Sequence, residues 1–316
     1  MAARAYSPTA LEQYAACPLR FAYRAILGLR PRDRIERLEQ VDPATRGALF
    51  HRVQFLLQAE LAAAGLLPLR PAGLEAADDL LDRVLAAVRD EAAEKLAPAI
   101  PRVFAAACDR LRLDLRGWLR ALVKADDGFA PLHRELAFGL AADTSKGADH
   151  DPASRTAAVE IELAGLPFAV KLRGSIDLVE ARGEELRVTD HKTGRPPERR
   201  YLQVGGGEKL QPILYALTAE KLLGRPVGAG RLFFCTRRGG YKVLEVRIDD
   251  SARRAIAEVL GQIEEAVAQA FLPAWPREEA CATCDFLAIC GPGEERRIRR
   301  KKGERLRPLE LLRSRS

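Results

Sequence analysis

Two aspartates stand on neighbouring arms of a predicted β-hairpin that covers residues 172–194 (LRGSIDLVEARGEELRVTDHKTG). If Gly183 and Glu184 form a two-residue turn, counting outward along both arms sets Asp177 directly opposite Asp190. Their Cβ atoms would then lie about 4.5–5.5 Å apart, and like charges in such a pair destabilise a hairpin. Because the flanking positions are apolar, we expect a cation to compensate the two carboxylates.

A divalent metal ion and a nearby lysine would give this pair a chemical role. Mg²⁺ prefers oxygen ligands and binds through one or two carboxylates, with water and phosphate in the other positions. Lys192 follows Asp190 by two positions, so both side chains lie on one face of the strand. The set indicates phosphodiester hydrolysis, in which the metal activates water and the ammonium positions that water or stabilises developing charge. The alternative is a solvated sheet face on which Lys192 is only a salt-bridge partner.

The segment ACATCDFLAIC contains three closely spaced cysteines: Cys281, Cys284 and Cys290. Tetrahedral zinc and cubane iron–sulfur clusters each usually take four thiolates. Of the other cysteines, Cys108 and Cys235 stand in apolar segments, as buried cysteine commonly does, whereas Cys17 ends a predicted helix before a proline. Cys17 is therefore the favoured fourth ligand, and the residues alone leave zinc and iron–sulfur both open.

Composition indicates a globular chain. With 316 residues, 47% hydrophobic and 30% charged, the sequence can build one large domain or two modest ones, and we predict a single domain over residues 1–295. No run approaches the roughly 18 apolar residues of a membrane span, and the first residues lack the apolar core of a signal peptide. We therefore expect a cytoplasmic protein with no membrane partner, in which reduced cysteines bind metals rather than form disulfides.

The net charge of +7 is concentrated at one end of the sequence. Residues 296–316 hold ten Lys or Arg against two Glu, a balance of +8, so the rest of the chain carries about −1. We predict a flexible basic tail there. Such a segment suits a nucleic-acid backbone or an acidic partner, and a solvated tail with no partner is the other interpretation.

Predicted helices precede predicted strands along the chain. Ser7 before Pro8 has the pattern of a helix start. Apolar spacing predicts further helices at about 43–64, 74–96, 101–124 and 208–223, and a last one from about 251 to 270. Short β-branched segments predict strands. The result is an α/β fold with a helical block at about 1–125, a mixed sheet core at about 131–250, and a last helix and cysteine loop at about 251–291.

Six motifs occur in order along nearly the whole chain: YSPTALEQYAACPLRFAYRAILGL, RGALFHRV, GSIDLV, TDHKTG, LQPILYAL and CATCDFLAIC. In this order they resemble the RecB-like branch of the PD-(D/E)xK nuclease superfamily. The resemblance is strongest to the iron–sulfur nuclease domain of AddB-type helicase–nuclease subunits and to CRISPR-associated RecB-like nucleases. It implies a restriction-endonuclease-like mixed sheet flanked by helices, with an iron–sulfur clasp that joins the N- and C-terminal regions.

The resemblance also implies a role for each matching residue. The ligands of a Mg²⁺ or Mn²⁺ ion would be His51, Asp177, Asp190 and the backbone carbonyl of His191. The catalytic residues would be Lys192, Asp177, Asp190, Gln211 and Tyr215. The ligands of a 4Fe-4S cluster would be Cys17, Cys281, Cys284 and Cys290. Such a cluster would tie the first helix to the last loop and strongly constrain the unfolded chain.

Each of these assignments has a structural alternative. A lone histidine such as His51 is more often a satisfied core residue, and Gln211 and Tyr215 could be ordinary residues of one helix face. His191 stands where relatives often have an aromatic residue, although only its carbonyl is asked to bind metal. Glu135 lies where some relatives place another acid, and we treat it as a weak additional candidate.

Together these features predict a metal-dependent deoxyribonuclease that acts on single strands or DNA ends in recombinational repair. We expect an exonuclease in preference to an endonuclease, with a helicase subunit as a partner. Two alternatives stay open: a CRISPR-adaptation-type nuclease, and a non-cleaving DNA-binding iron–sulfur module that assembles with a helicase.

Overall fold

The protein is described by a computed structural model that covers residues 3–31, 39–125, 127–140, 150–197, 203–291, 293–301 and 303–315. Its α-helices are α1 (Pro8–Ala16), α2 (Pro18–Phe21), α3 (Pro43–Ala63), α4 (Leu74–Leu96), α5 (Pro101–Ala125), α6 (Gln211–Leu223), α7 (Asp250–Ala268), α8 (Leu287–Cys290), α9 (Glu294–Ile298) and α10 (Arg307–Ser314). None of the helices in these ranges has the length and hydropathy needed to cross a membrane.

Side-chain caps fix the starts of the early helices where the sequence indicates them. Ser7 accepts a hydrogen bond from the backbone N–H of Ala10, and Pro8 occupies the first turn of α1. Asp42 caps α3 by accepting from the N–H groups of Ala44 and Thr45. A cap of this kind satisfies N–H groups that have no partner within the helix, so it defines the first residue.

In the part of the chain that the structure describes, seven strands form two sheets: β1 (Ala130–Phe138), β2 (Val159–Ile161), β3 (Val170–Leu172), β4 (Gly174–Arg182), β5 (Glu185–Lys192), β6 (Val227–Phe234) and β7 (Lys242–Arg247). The main sheet has the order β1-β4-β5-β6-β7, and β2 and β3 pair separately. Only β5 and β6 run parallel, joined by a crossover that contains α6. The predicted mixed sheet is therefore confirmed.

Helices cover both faces of the main sheet. On one face, α6 and α7 bury a core with β4 and β5 that includes Val179, Val188 and Ile256. On the other face, α3, α4 and α5 pack around Trp118 and Phe233. This arrangement confirms the expected α/β fold. Cys235 belongs to the second core and Cys108 to a small cluster beside it, so both are the buried hydrophobes that the sequence predicts.

The hairpin of β4 and β5 carries a buried charged network that the sequence did not reveal. Arg187 donates to both carboxylate oxygens of Glu180, at 2.8 and 2.9 Å, and Arg231 on β6 donates to the same carboxylate at 2.8 Å. Asp127 forms a further ion pair with Arg187. Removing one partner of such a buried set typically costs about 3–5 kcal/mol, because the remaining charge loses its compensation.

The end of the chain differs from the flexible basic tail expected for residues 296–316. Here α10 packs on the body of the protein, with Leu306, Leu309 and Leu312 buried. The guanidinium of Arg313 donates to the backbone carbonyls of Ala15, Ala16 and Trp275. The net charge of the segment did not predict this packing, because burial of the leucines on one face of α10 stabilises it while the basic residues lie on the other faces.

Two glycines allow this close packing. Gly206 and Gly207 have positive φ angles of 65° and 83°, and a Cβ on Gly206 would lie 2.7 Å from the carbonyl oxygen of Arg313. A side chain at that position would push α10 away.

Two neighbouring leucines of α10 test whether it is a stable part of the fold. Leu312 is 1% exposed and Leu311 is 55% exposed. We expect Leu312→Ala to lower the free energy of unfolding by about 2–5 kcal/mol, because it leaves a cavity in a packed core. Leu311→Ala should change it by no more than about 0.5 kcal/mol. Urea unfolding of both variants measures the difference, and equal stabilities would show that α10 is detached in solution.

Candidate active site

The site predicted from the hairpin lies at the carboxyl end of β5, where Lys192, Asp190 and Gln211 form a closed set of contacts. Lys192 Nζ lies 2.5 Å from Asp190 Oδ2 and donates to Gln211 Oε1 at 2.7 Å. Gln211 Nε2 donates to Asp190 Oδ1 at 3.0 Å. Each of the three side chains thus holds the other two, as expected if Asp190 and Lys192 share a face of β5.

The position of Gln211 depends on the close approach of α6 to the sheet. Gly230 on β6 faces the first turn of that helix, and a Cβ on Gly230 would lie only 2.2 Å from the carbonyl oxygen of Pro212. Any side chain there would force α6 outward and carry Gln211 away from Asp190. A glycine in a strand often marks such a backbone approach.

The electrostatics of this set keep Lys192 charged. Burial alone would lower the pKa of Lys192, but the Asp190 carboxylate beside it, with a further contribution from Asp177, raises the pKa above its ordinary value. The side chain is therefore an ammonium that can donate hydrogen bonds or stabilise negative charge, rather than a neutral base.

A second group of side chains adjoins the first. One ligand atom each from His51, Glu135 and Asp177 lie within 4.8 Å of one another. His51 Nδ1 is 3.5 Å from Asp177 Oδ2 and 3.8 Å from Glu135 Oε1. An imidazole with two carboxylates is a suitable ligand set for a divalent cation, since such ions accept oxygen and nitrogen donors. His51 thus faces two acids and is not an isolated core histidine.

Asp177 lies just beyond the paired part of the hairpin. The observed pairs, from Arg182–Glu185 to Leu178–Thr189, follow the predicted register. At the next position the Asp177 carboxylate accepts a 2.6 Å hydrogen bond from the backbone N–H of His191. Asp177 consequently belongs to the His51 group, while Asp190 contacts Lys192 and Gln211.

Glu135, only a weak candidate from the sequence, lies within the group of possible metal ligands. Its φ angle is 48°, an uncommon value for a residue other than glycine in a strand. Its Oε2 accepts a hydrogen bond from Ser175 Oγ at 2.9 Å, while Oε1 faces His51. Nothing in the alternation of β1 marks this local turn of the backbone. Strained conformations of this kind cluster at functional sites.

The two acids raise the pKa of His51. Burial would lower it, but Asp177 and Glu135 together raise the pKa of His51 to about 9. Burial also raises the pKa of Asp177, and the positive charge of His51 opposes that rise. A divalent cation bound here would take the place of the imidazole proton, because a histidine ligand must be deprotonated.

His191 and Tyr215 have different surroundings. His191 is buried and its ring packs against Trp118 and Phe233, while its Nδ1 lies 3.8 Å from Asp177 Oδ2. Its backbone N–H also donates to Asp177, so both the main chain and the ring of His191 adjoin the acidic group. Tyr215, one turn after Gln211, is buried beside the ring of Phe138, and its hydroxyl interacts with Gln211. Gln211 and Tyr215 thus share the helix face that approaches Asp190.

The cysteines predicted as ligands line one cavity. Cys17, at the end of α1, shares it with Cys281, Cys284 and Cys290. Contacts from both ends of the chain close this cavity: Arg20 donates to the carbonyl of Thr283, and the rings of Tyr23 and Phe286 meet edge to face. Within the described ranges, no three cysteine sulfurs lie within 4.8 Å of one another. The structure thus brings the four predicted cysteines to one cavity.

A model described as the PD-(D/E)XK nuclease superfamily matches residues 5–291. The chain belongs to the PD-(D/E)XK nuclease superfamily. Members of this superfamily use a divalent metal ion, and the group of His51, Glu135 and Asp177 is available for one in this nuclease.

Two relatives are similar to parts of this PD-(D/E)XK nuclease. The Gene 69 protein of Mycobacterium phage D29 is 30% identical over 134 residues, 42% of this chain and 45% of that protein. The CRISPR-associated exonuclease Cas4/endonuclease Cas1 fusion of Myxococcus xanthus (strain DK1622) is 32% identical over 166 residues, 49% of this chain and 27% of that protein. The chain thus covers less than half of each relative, and the second match agrees with the RecB-like resemblance seen in the sequence.

The raised pKa of His51 can be tested in metal-free protein. Glu135→Gln removes one of the two negative charges beside the imidazole, so we expect the pKa of His51 to fall from about 9 toward its ordinary value. An NMR titration of the His51 ring protons measures it. Glu184→Gln removes a carboxylate whose side chain is 97% exposed and should leave the titration unchanged. An unchanged pKa in Glu135→Gln would contradict the described position of Glu135.

Proposed function

We propose that this nuclease is a Mg²⁺- or Mn²⁺-dependent deoxyribonuclease whose catalytic residues are Lys192, Asp177, Asp190, Gln211 and Tyr215. The observation that carries the proposal is the contact between a charged Lys192, Asp190 and Gln211 directly beside the group of His51, Glu135 and Asp177. A general hydrolytic role is supported by the superfamily, and DNA is the substrate that we infer.

The proposed metal ligands are side chains that lie close together at the site. His51 Nδ1 is 3.5 Å from Asp177 Oδ2, and Asp190 interacts electrostatically with Asp177. The carbonyl of His191 completes the proposed set. Glu135 is a fifth candidate that the structure adds. The bound ion would supply Lewis-acid polarisation of the phosphate and a more acidic water.

The remaining chemistry belongs to side chains. The Lys192 ammonium would orient the attacking water or stabilise negative charge on the phosphate, which is the part of the reaction where preorganised donors contribute most. Gln211 keeps this ammonium in place by accepting from it while donating to Asp190. Tyr215 supports Gln211 from the next turn of α6. The complete set also argues against a non-cleaving module.

Exonuclease action, and with it action on DNA ends, is supported by the similarity to the Cas4 exonuclease part of the Myxococcus fusion protein. The preference for single strands rests on the resemblance seen in the sequence. The name of the Myxococcus relative favours a CRISPR-adaptation role as the second candidate. Recombinational repair with a helicase subunit is the role that the AddB-like motifs of the sequence favour. Neighbouring genes would distinguish the two roles.

Cleavage of DNA labelled at one end tests the proposal. In the presence of Mg²⁺ or Mn²⁺ we expect the wild-type protein to release labelled fragments, and a chelator should stop the reaction. Lys192→Ala and Asp190→Ala should each lower the single-turnover rate by about 100-fold or more, because each removes a charge from the reacting centre. Lys171→Ala, which removes a lysine paired with an exposed glutamate on β2, should keep the wild-type rate. Absence of wild-type cleavage, or full activity of Asp190→Ala, would contradict the proposal.

We further propose that Cys17, Cys281, Cys284 and Cys290 hold a 4Fe-4S cluster with a structural role. The support is the shared cavity, together with the spacing of the cysteines in the motifs that resemble the iron–sulfur nucleases. A cluster there would join the end of α1 to residues 281–290, which include α8, and so tie two distant parts of the sequence. It would stabilise the fold mainly by restricting the unfolded chain.

Iron content and visible absorption of anaerobically purified protein test the cluster. We expect about four irons per chain, as a cubane cluster requires, and loss of the colour in Cys17→Ser. Limited proteolysis should then cut that variant faster near both ends. Cys108→Ala alters a buried cysteine outside the cavity and should keep the iron. A colourless protein that contains zinc would contradict this assignment without affecting the nuclease proposal.

A further inference from the structure

Glu12, in the middle of α1, reaches the start of α6. Its Oε1 accepts hydrogen bonds from the backbone N–H groups of Leu210 at 2.7 Å and Gln211 at 3.2 Å. The residue at the cap position of α6 is Leu210, whose side chain provides no hydrogen bond to the helix start. Glu12 therefore supplies, from a remote part of the sequence, the acceptor that a local Ser or Asp usually provides.

The helix start held by Glu12 is also the backbone of a proposed catalytic residue. Gln211 is the first residue of α6, and its side-chain amide bonds both Lys192 and Asp190. When the main chain of Gln211 is held in place, its side chain starts from a fixed position and can align Lys192. One carboxylate, two N–H groups and one amide side chain form a continuous path from α1 to Lys192.

The charges around Glu12 agree with this position. Burial raises the pKa of Glu12 to about 7, and Lys209, the two N–H groups and Lys192 oppose the rise. The carboxylate also contributes to the raised pKa of Lys192. Two lysines and a helix N-terminus thus favour the charged form of the Glu12 carboxylate, and burial opposes it more strongly.

The same helix leads to the cysteine cavity. α1 ends at Ala16, and Cys17 follows at its C-cap, about two turns after Pro8. Leu11, Tyr14 and Ala15 are buried, so this short helix is packed along its length and not only at its ends. The Glu12 side chain connects this packed helix to the start of α6.

We propose that Glu12 is a positioning residue of the nuclease site, which holds the start of α6 so that Gln211 aligns Lys192 with Asp190. The inference rests on the proposed function, because alignment of Lys192 has a catalytic effect only if the lysine acts in cleavage. Glu12 itself touches no reacting atom. Because α1 also carries Cys17, this contact makes the cysteine cavity and the nuclease site depend on one helix.

A double-mutant cycle with Gln211 tests the proposal. Glu12→Ala should lower kcat on end-labelled DNA by about 10- to 100-fold with little change in KM, since it misplaces a catalytic group without removing it. Glu12→Gln keeps an acceptor oxygen and should stay within a few-fold of wild type. In the Gln211→Ala background, Glu12→Ala should have little further effect, because residues on one path are not additive.

Glu220→Ala is the matched control. Glu220, on the same helix α6, accepts from the backbone N–H of Val227 at 3.0 Å and pairs with Arg253, so it too is a carboxylate that holds main chain. Its loss should lower thermal stability but leave kcat unchanged. A similar fall of kcat in Glu220→Ala and Glu12→Ala, or additive effects in the cycle, would overturn the proposal.

Hydrogen exchange provides a readout that does not depend on cleavage. In Glu12→Ala the amides of Leu210 and Gln211 should exchange faster, and in Glu12→Gln they should stay protected. If Glu12→Ala does not fold, Glu12→Leu removes the acceptor without leaving a cavity and is measured instead. Unchanged exchange at Gln211 would overturn the inference even if the wild type cleaves no DNA, whereas absence of wild-type cleavage by itself contradicts only the proposed function.

Discussion

The central constraint of this structure is the gathering of three acidic side chains at one end of the sheet. Glu135, Asp177 and Asp190 come from three strands or strand ends that meet beside β5, and all three are partly or fully buried. Such a concentration of negative charge is unfavourable unless cations compensate it. Lys192 and His51 provide part of that compensation within the chain, and a divalent metal ion is the natural complement. The fold therefore creates a site of concentrated negative charge that a bound cation would stabilise.

The same hairpin also contains a buried network of charged and polar side chains that bond one another. Alternation along β5 places Arg187 and Thr189 on the face opposite Asp190, where Glu180 and Arg231 complete a set of mutual hydrogen bonds. The side chain of Arg187 is 8% exposed, whereas that of Lys192 is 31% exposed. One network is satisfied by the protein alone and holds strands together. The other is partly exposed through Lys192 and lies beside the group of His51, Glu135 and Asp177, for which we propose a catalytic role.

Helices from both ends of the sequence are linked by hydrogen bonds, directly or through α1, to the helix that carries Gln211. α1 contacts the start of α6 through Glu12, and Arg313 of α10 bonds the carbonyls of Ala15 and Ala16 at the end of α1. The first helix is thus held by the helix that carries Gln211, by the last helix, and by the segment around Cys17. Loss of any one of these contacts should be felt at the others, because a nine-residue helix has little stability of its own.

Much of the fold and of the site was predictable because it depends on local patterns. The register of the β4–β5 hairpin follows from a two-residue turn, and the placement of Asp190 and Lys192 on one face follows from the period of a strand. The helix starts at Pro8 and Pro43 follow from their caps. The order of motifs indicated the superfamily, which the match over residues 5–291 confirms. These features need only neighbours in sequence.

The tertiary structure decided what depends on distant partners. The left-handed turn at Glu135 directs its carboxylate toward His51, and no property of β1 alone predicts it. Glu12 caps a helix almost two hundred positions away, and the basic tail packs because its leucines meet a surface formed by other elements. By itself, the sequence determined which residue types could hold a metal and hydrolyse a phosphodiester. Only the folded chain determined how they are held, because long-range packing and burial, not local propensity, bring those charges together.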